Sequence, residues 1–204
     1  METGGRAIGS LIIMEETKKE ALLPQLFKET QFTIHLFLTP QEIHTHYRSL
    51  LLDKCKQEWE DQCHLNKGYI LQVVSLHAIL HEEIMEMCPN ILFKASFNII
   101  SYLPQIGNVI PMTVDIIFDD GIFGHFYKIN IIVPTQYCQD HKWSIHQNFL
   151  GNIAVSQENN DRIIRPNDVW MVSLKHLRYE RESFSCIAEP YDDDTTVVTK
   201  TMKR

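Results

Sequence analysis

The chain has 204 residues, 44% hydrophobic and 22% charged, the balance of a globular protein with room for one large core or two small ones. Its 26 acidic and 19 basic residues leave a formal net charge of −7. That excludes a free-standing protein that grips nucleic acid by bulk charge, because phosphate neutralisation by Lys and Arg dominates such affinity. Five cysteines, odd in number and with no Cys-x-x-Cys pair, point to a reducing intracellular compartment and free thiols. The apolar run Leu11–Met14 ends at Glu15 and Glu16, too short for a signal sequence or a membrane span.

Residues 1–30 read as an extension, loosened by Gly4, Gly5 and Gly9, in which Thr17-x-x-Glu20 caps a short helix. From Phe32 the pattern sharpens. Phe32, Ile34, Leu36 and Leu38 alternate with Thr33, His35 and Phe37, which predicts a half-buried strand. Thr39-Pro40-Gln41-Glu42 is a capping box with Pro at the first helical position, so a helix is expected from there to about Cys63. Ile43, Tyr47, Leu50, Leu51, Cys55 and Trp59 supply its apolar face, and Asn66-Lys67-Gly68 its stop. A strand follows over 69–76, residues 77–90 are ambiguous, and a longer strand runs from Ile91 towards Pro104. One helix packed on a small sheet is the economical way to bury these faces.

The second half is organised by two apolar runs, 109–118 and 122–134, around Asp119-Asp120-Gly121. This is a hairpin turn in which Gly121 can take φ > 0, and Gly124 marks a bulge or a close backbone approach. Residues 135–165 are polar and read as a long loop. Two further strands are expected over 169–177 and 183–189, joined by a charged turn, with a disordered tail beyond Pro190. Five short strands of this kind suit an OB barrel, the small fold that binds oligonucleotides and oligosaccharides.

In this order, Phe32-Thr-Ile-His-Leu, the capped helix, Gly68-Tyr-Ile-Leu-Gln-Val-Val, Phe93-Lys-Ala-Ser-Phe-Asn-Ile-Ile, Gly107-Asn-Val-Ile, Gly121-Ile-Phe, Ile131-Ile-Val-Pro and Pro166-Asn-Asp-Val resemble one family. It is the larger stalk subunit of multi-subunit DNA-directed RNA polymerases, the eukaryotic seventh-subunit and archaeal E-subunit family. The resemblance covers roughly residues 31–190. It implies an α+β chain with a truncated ribonucleoprotein-like domain over 31–103 that docks on the polymerase core. A five-stranded OB/S1-type β-barrel over 104–190 then lies near the RNA exit path, and 191–204 is a tail. Two departures are visible. The tip loop of the family is rich in Gly and Pro, whereas 77–89 here is acidic and contains Met; and Pro134-Thr-Gln stands where the family continues into His- or Ser-rich sequence. Such divergence suits a polymerase encoded by a large DNA virus, which would place the protein in a cytoplasmic viral factory or virion rather than the nucleus.

Candidate RNA-binding residues are Phe123, His125 and Tyr127, placed on one face by period-2 alternation, with Lys128 beside them and Lys175 and Arg178 on a later strand. Candidate docking residues are Ile79, Leu80, Ile84, Met85 and Met87, apolar side chains between two strands where a small domain has little core left to offer. Expected partners are the core subunits of the polymerase, a smaller stalk partner and single-stranded nascent RNA, with no membrane. Trp143 and His146 belong to the long loop, with Trp143 packed on its own domain, and Trp170 reads as core. Cys138-x-x-His141 has no second ligand pair for structural zinc, and nothing beside Cys138 or Cys186 orients a catalytic base. No metal, cofactor or catalytic residue is therefore expected. The rival from another class is a stand-alone S1-type RNA-binding protein, against which the net acidity weighs.

Overall fold

The computed structural model describes residues 26–43, 46–84, 89–148, 151–157, 162–191 and 197–198. The helix expected after Thr17, the docking candidates Met85 and Met87, and most of the expected tail lie outside the described residues. The chain divides between Leu103 and Pro104 into two compact units. It is α+β and mostly strand.

The first unit begins with β1 (Lys28–Leu38), paired antiparallel along its whole length with β4 (Ile91–Tyr102). Main-chain pairing needs no apolar side chain, so the ladder takes in Lys28–Gln31 ahead of the alternating stretch that begins at Phe32. Phe32, Leu36 and Leu38 are buried, as alternation requires. The capping box then gives only a 3-10 turn, Pro40–Glu42. The Thr39 N–H and hydroxyl both donate to Glu42 Oε2, at 2.8 and 3.1 Å, while Lys54 Nζ holds Oε1 at 2.9 Å. The α-helix, α1 (Tyr47–Trp59), starts afresh and is shorter at both ends than expected. At its exit Glu60 is extended and Asp61 left-handed. The Glu60 carboxylate accepts the Val73 N–H at 2.9 Å, and Asp61 accepts the Tyr69 hydroxyl at 2.6 Å. These bonds turn the chain, so Cys63 sits in a strand, β2 (Gln62–His64), rather than on the helix.

The next strand, β3 (Gly68–Ile84), is seventeen residues long and absorbs most of the stretch that was ambiguous. Gly68 serves the β2–β3 turn, not a helix end. Its φ is +75°, and a Cβ there would run into the Tyr102 main chain. The sheet order is β1-β4-β3-β2. Leu51 and Cys55 of α1 are buried against Ile70, Val73, Phe93, Ala95, Phe97 and Ile99, with Trp59 edge-on to Phe32 at 5.1 Å.

The second unit contains β5 (Val109–Phe118), β6 (Gly121–Phe126), β7 (Ile129–Pro134), β11 (Val169–Glu180) and β12 (Ser183–Pro190). β5, β6 and β7 form a meander, β11 pairs with both β5 and β12, and β12 closes the ring by running parallel to β7. The result is a closed five-stranded barrel. Its interior takes one face of every strand, including Met112, Val114, Ile122, Phe126, Ile131, Val172 and Leu174. Gly121 is not left-handed; its need for Gly is spatial, since a Cβ would stand 2.7 Å from the Val133 carbonyl oxygen.

The stretch 135–165 is not an open loop. It holds α2 (Thr135–Asp140) and a separate sheet of β8 (Trp143–Asn148), β9 (Gly151–Ser156) and β10 (Ile163–Ile164). Trp143 is buried against Trp170, ring centroids 5.5 Å apart, which explains the order in a polar segment. β13 (Val197–Val198) pairs with Trp170 and Val169, so part of the expected tail is a strand.

Candidate functional site

The barrel exterior sorts into rows because cross-strand partners stand side by side. One row is polar. Thr113, His125, Asn130, Ser185 and Arg178 are successive partners across β5, β6, β7, β12 and β11. His125 Nδ1 lies 2.8 Å from Asp115 Oδ2, and Arg178 Nη2 donates to Glu180 at 2.5 Å. The adjoining row is apolar, and Phe123 belongs to it with Ile116, Ile132 and Ile187. Phe123 and His125 thus share an outer face, as alternation predicts. Tyr127 does not continue it, since β6 stops at Phe126 and Tyr127 turns the chain at φ +52°.

Tyr127 and Lys128 instead mark one end of the barrel. Because β7 and β12 run parallel with Ile129 beside Phe184, the turns that precede them are neighbours. The Ser183 hydroxyl donates to the Lys128 carbonyl at 3.3 Å, and the Asn130 amide donates to Ser183 Oγ at 3.3 Å. Tyr127, Lys128 and Arg181 are exposed there, and Arg178 lies one row in. Lys175 is set apart, at a bulge in β11, where its ammonium meets Glu189 Oε1 at 2.6 Å. Of six residues expected at one RNA site, the fold gathers Tyr127, Lys128 and Arg178, with His125 in the adjacent polar row. It places Phe123 in apolar surroundings and Lys175 in a separate ion pair. Exposed ion pairs are worth little, so a phosphate can compete for either Arg178 or Lys175.

The second surface is the free end of the β3–β4 hairpin. β3 carries a bulge at Leu71, Val74, His77 and Leu80, each the extra residue between successive pairs with β4. Two of every three residues are therefore turned outward, and the inward face recurs every third residue as Ile70, Val73, Leu76 and Ile79. Ile79 accordingly packs half-buried against its own core. Leu80 and Ile84 do face solvent, 56% and 74% exposed. Bulges spoil an edge for strand addition, so a partner at this hairpin meets side chains rather than main chain.

The thiols are poor nucleophiles. Burial pushes Cys138 up to about 12, and Cys55 equally. Cys186 is also buried. His146, 2.8 Å from the Ser144 hydroxyl, is exposed on β8. Among the described residues no three His, Cys, Asp or Glu side chains converge as a metal site, and no helix is long and apolar enough to cross a membrane.

The apolar row (Ile116, Ile132, Ile187, with Phe118 beside it) was not singled out from the sequence. Its trace there is Ile116-Ile117-Phe118, three consecutive apolar residues in a strand, which alternation cannot place entirely inside. Compared with protein-family models and with curated proteins, the chain matches none.

Proposed function

We propose that this protein is a non-catalytic stalk subunit of a multi-subunit DNA-directed RNA polymerase. The observation that carries the reading is the barrel's strand order. A three-strand meander whose third strand is paired parallel to the fifth, with the fourth closing on the first, is how OB/S1-type barrels are wired. It follows directly in sequence on a helix-backed antiparallel sheet, which we read as the truncated ribonucleoprotein-like domain of the stalk family.

On this reading the first domain docks on the polymerase core through Leu80 and Ile84 of the hairpin, with Met85 and Met87 in the same segment. The barrel offers Tyr127, Lys128, Arg178 and His125 to emerging single-stranded RNA. Stacking on an aromatic face is sequence-tolerant and cations follow the backbone. Because the net charge is −7, binding is weak until the polymerase delivers RNA at high local concentration. The protein then works in the nucleus, or in the viral factory or virion if its polymerase is viral.

The test is affinity purification of the tagged full chain, wild type and Leu80→Asp/Ile84→Asp, with identification of co-purifying chains. Recovery of the large polymerase subunits by wild type alone supports the proposal. A chain that recovers RNA but no polymerase is the stand-alone S1-type binder.

A further inference from the structure

The apolar row on the barrel belongs to neither surface just described. Ile116 is 49% exposed, Phe123 36% and Ile187 38%, with Ile132 half-buried between them, and each is the direct cross-strand partner of the next. Phe118, 50% exposed, extends it by an edge-to-face contact with Phe123 at 5.6 Å. A bulge between Val114 and Ile116 makes the row possible. It inserts Asp115 as an extra outward residue and so turns Ile116 outward as well. Four contiguous strands contribute, so the row is about 14 Å long at the usual strand spacing.

Three features select the occupant. β6 and β7 are each paired on both sides, so no main-chain edge is on offer there and the contact must be made by side chains. Three of the row's four members are isoleucines, which give a base no flat π surface to stack on. The charges bordering it are carboxylates. Asp115 is half exposed beside Ile116, and Asp119 and Asp120 are exposed at the adjoining turn. Of the nearby basic side chains, His125 and Lys175 already face Asp115 and Glu189, and His176 stands exposed beside Ile187 at the far end of the row from these aspartates. Those carboxylates repel a phosphate backbone, and they repel a second copy of this chain brought face to face.

We propose that the outer face of β5, β6, β7 and β12 is a docking site for an amphipathic helix of a partner protein, apolar on one side and flanked by Lys or Arg. A helix rises 1.5 Å per residue, so about ten residues span the row. Apolar positions three and four apart lie over Ile116, Phe123, Ile132 and Ile187, and basic flanks meet Asp115, Asp119 and Asp120. The inference holds whether or not the protein serves a polymerase.

The experiment uses the full chain with labelled Ile methyl groups and three probes: a 14-residue helical Leu/Lys peptide, the same peptide with Glu for Lys, and a ten-nucleotide oligouridylate. The Leu/Lys peptide is expected to shift the methyls of Ile116, Ile132 and Ile187. Phe123→Asp/Ile187→Asp should weaken that binding at least tenfold and Asp119→Asn/Asp120→Asn severalfold, with the thermal midpoint of each variant checked against wild type. Binding that is unchanged in both variants, or methyl shifts that lie elsewhere, overturns the proposal. So does a shift of these three methyls by oligouridylate, which would make the face an RNA site. Concentration-dependent self-association abolished by Phe123→Asp would make it a dimer contact.

Discussion

Replacing Gly124 with Ala should damage the barrel far more than a single methyl group suggests. A Cβ at this position would stand 2.7 Å from the Met112 side chain and closer still to the Thr113 carbonyl oxygen. Met112 can swing away; the carbonyl cannot, because it belongs to the strand paired with β6. Ordinary contact begins at 3.4 Å, so even the easier of the two gaps must open by about 0.7 Å. Overpacking of a close-packed core costs about 1–3 kcal/mol. Prying β5 from β6 at the Val114–Gly124 pair also weakens one or two ladder hydrogen bonds, at about 1 kcal/mol each. The expected loss is about 3 kcal/mol, which for a unit of this size is roughly 12–24 °C in Tm. Gly107→Ala is the matched control. Its φ is +85° but nothing lies within 4 Å of a Cβ, so only backbone strain of about 1 kcal/mol is incurred. Thermal unfolding followed by near-ultraviolet circular dichroism, which reports the buried Trp143–Trp170 pair, measures both. A Gly124→Ala midpoint within 2 °C of wild type, or a larger loss for Gly107→Ala, refutes the close approach.

Other expectations follow from the same geometry. Leu80→Asp/Ile84→Asp should leave stability within about 0.5 kcal/mol of wild type, since both side chains are solvent-exposed; calorimetry that shows a larger loss would mean the hairpin end is packed. Hydrogen bonds from the Thr39 main chain and then from Lys54 lower Glu42 to about 2, below its usual 4.5. Its contribution is therefore fully present above about pH 4.5 and is lost as pH falls towards 2. Glu42→Gln should flatten acid unfolding of the first unit in that window, and an unchanged acid limb would count against the capping carboxylate. Cys55 and Cys138, both held near 12, should resist iodoacetamide in the native chain at pH 8 and react on unfolding, as mass spectrometry would show. Trp143→Ala should cost about 3–5 kcal/mol, and a mild effect in denaturant titration would show that 135–165 is only loosely attached to the barrel.

What the sequence disclosed depended on how local the determining physics was. β1 and the β5–β6 hairpin were legible because alternation marks the first and two apolar runs meeting at Asp119-Asp120-Gly121 mark the second, although Gly121 is required there by the close Val133 carbonyl and not by a positive φ. The stop of α1 was not. It depends on Glu60 and Asp61 reaching Val73 and Tyr69, residues that only tertiary structure brings near. The segment 135–165 looked polar because its order rests on few apolar side chains. Trp143 is buried on Trp170, which lies 27 residues later. Tyr127 was read as continuing the strand for a similar reason: no Gly or Pro announces the left-handed turn at φ +52° that ends β6 at Phe126.

The hairpin end shows why one docking candidate, Ile79, lies half-buried on its own core. Ile70, Val73, Leu76 and Ile79 recur every three residues, a spacing that fits a helix better than a strand. The structure satisfies it with a strand by inserting a bulge in each repeat, so that β3 advances three residues for every two of β4. Inward residues then fall at 70, 73, 76 and 79, and outward ones at 71, 74, 77 and 80. With 77–90 assigned to no element, Ile79 and Leu80 look equally available to a partner; in the bulged register Ile79 packs half-buried on the core and Leu80 is surface. The same device at Asp115 turns Ile116 outward and completes the apolar row on the barrel. In both units, then, an exposed apolar surface is set by a break in strand register. A deletion that removes one bulged residue, such as Val74, should leave Leu76 and Ile79 facing the core, because Val73, Ser75 and Leu76 still stand opposite Ile99, Asn98 and Phe97; a first unit that unfolds on this deletion in thermal denaturation, while Val74→Thr is tolerated, would refute the bulged register.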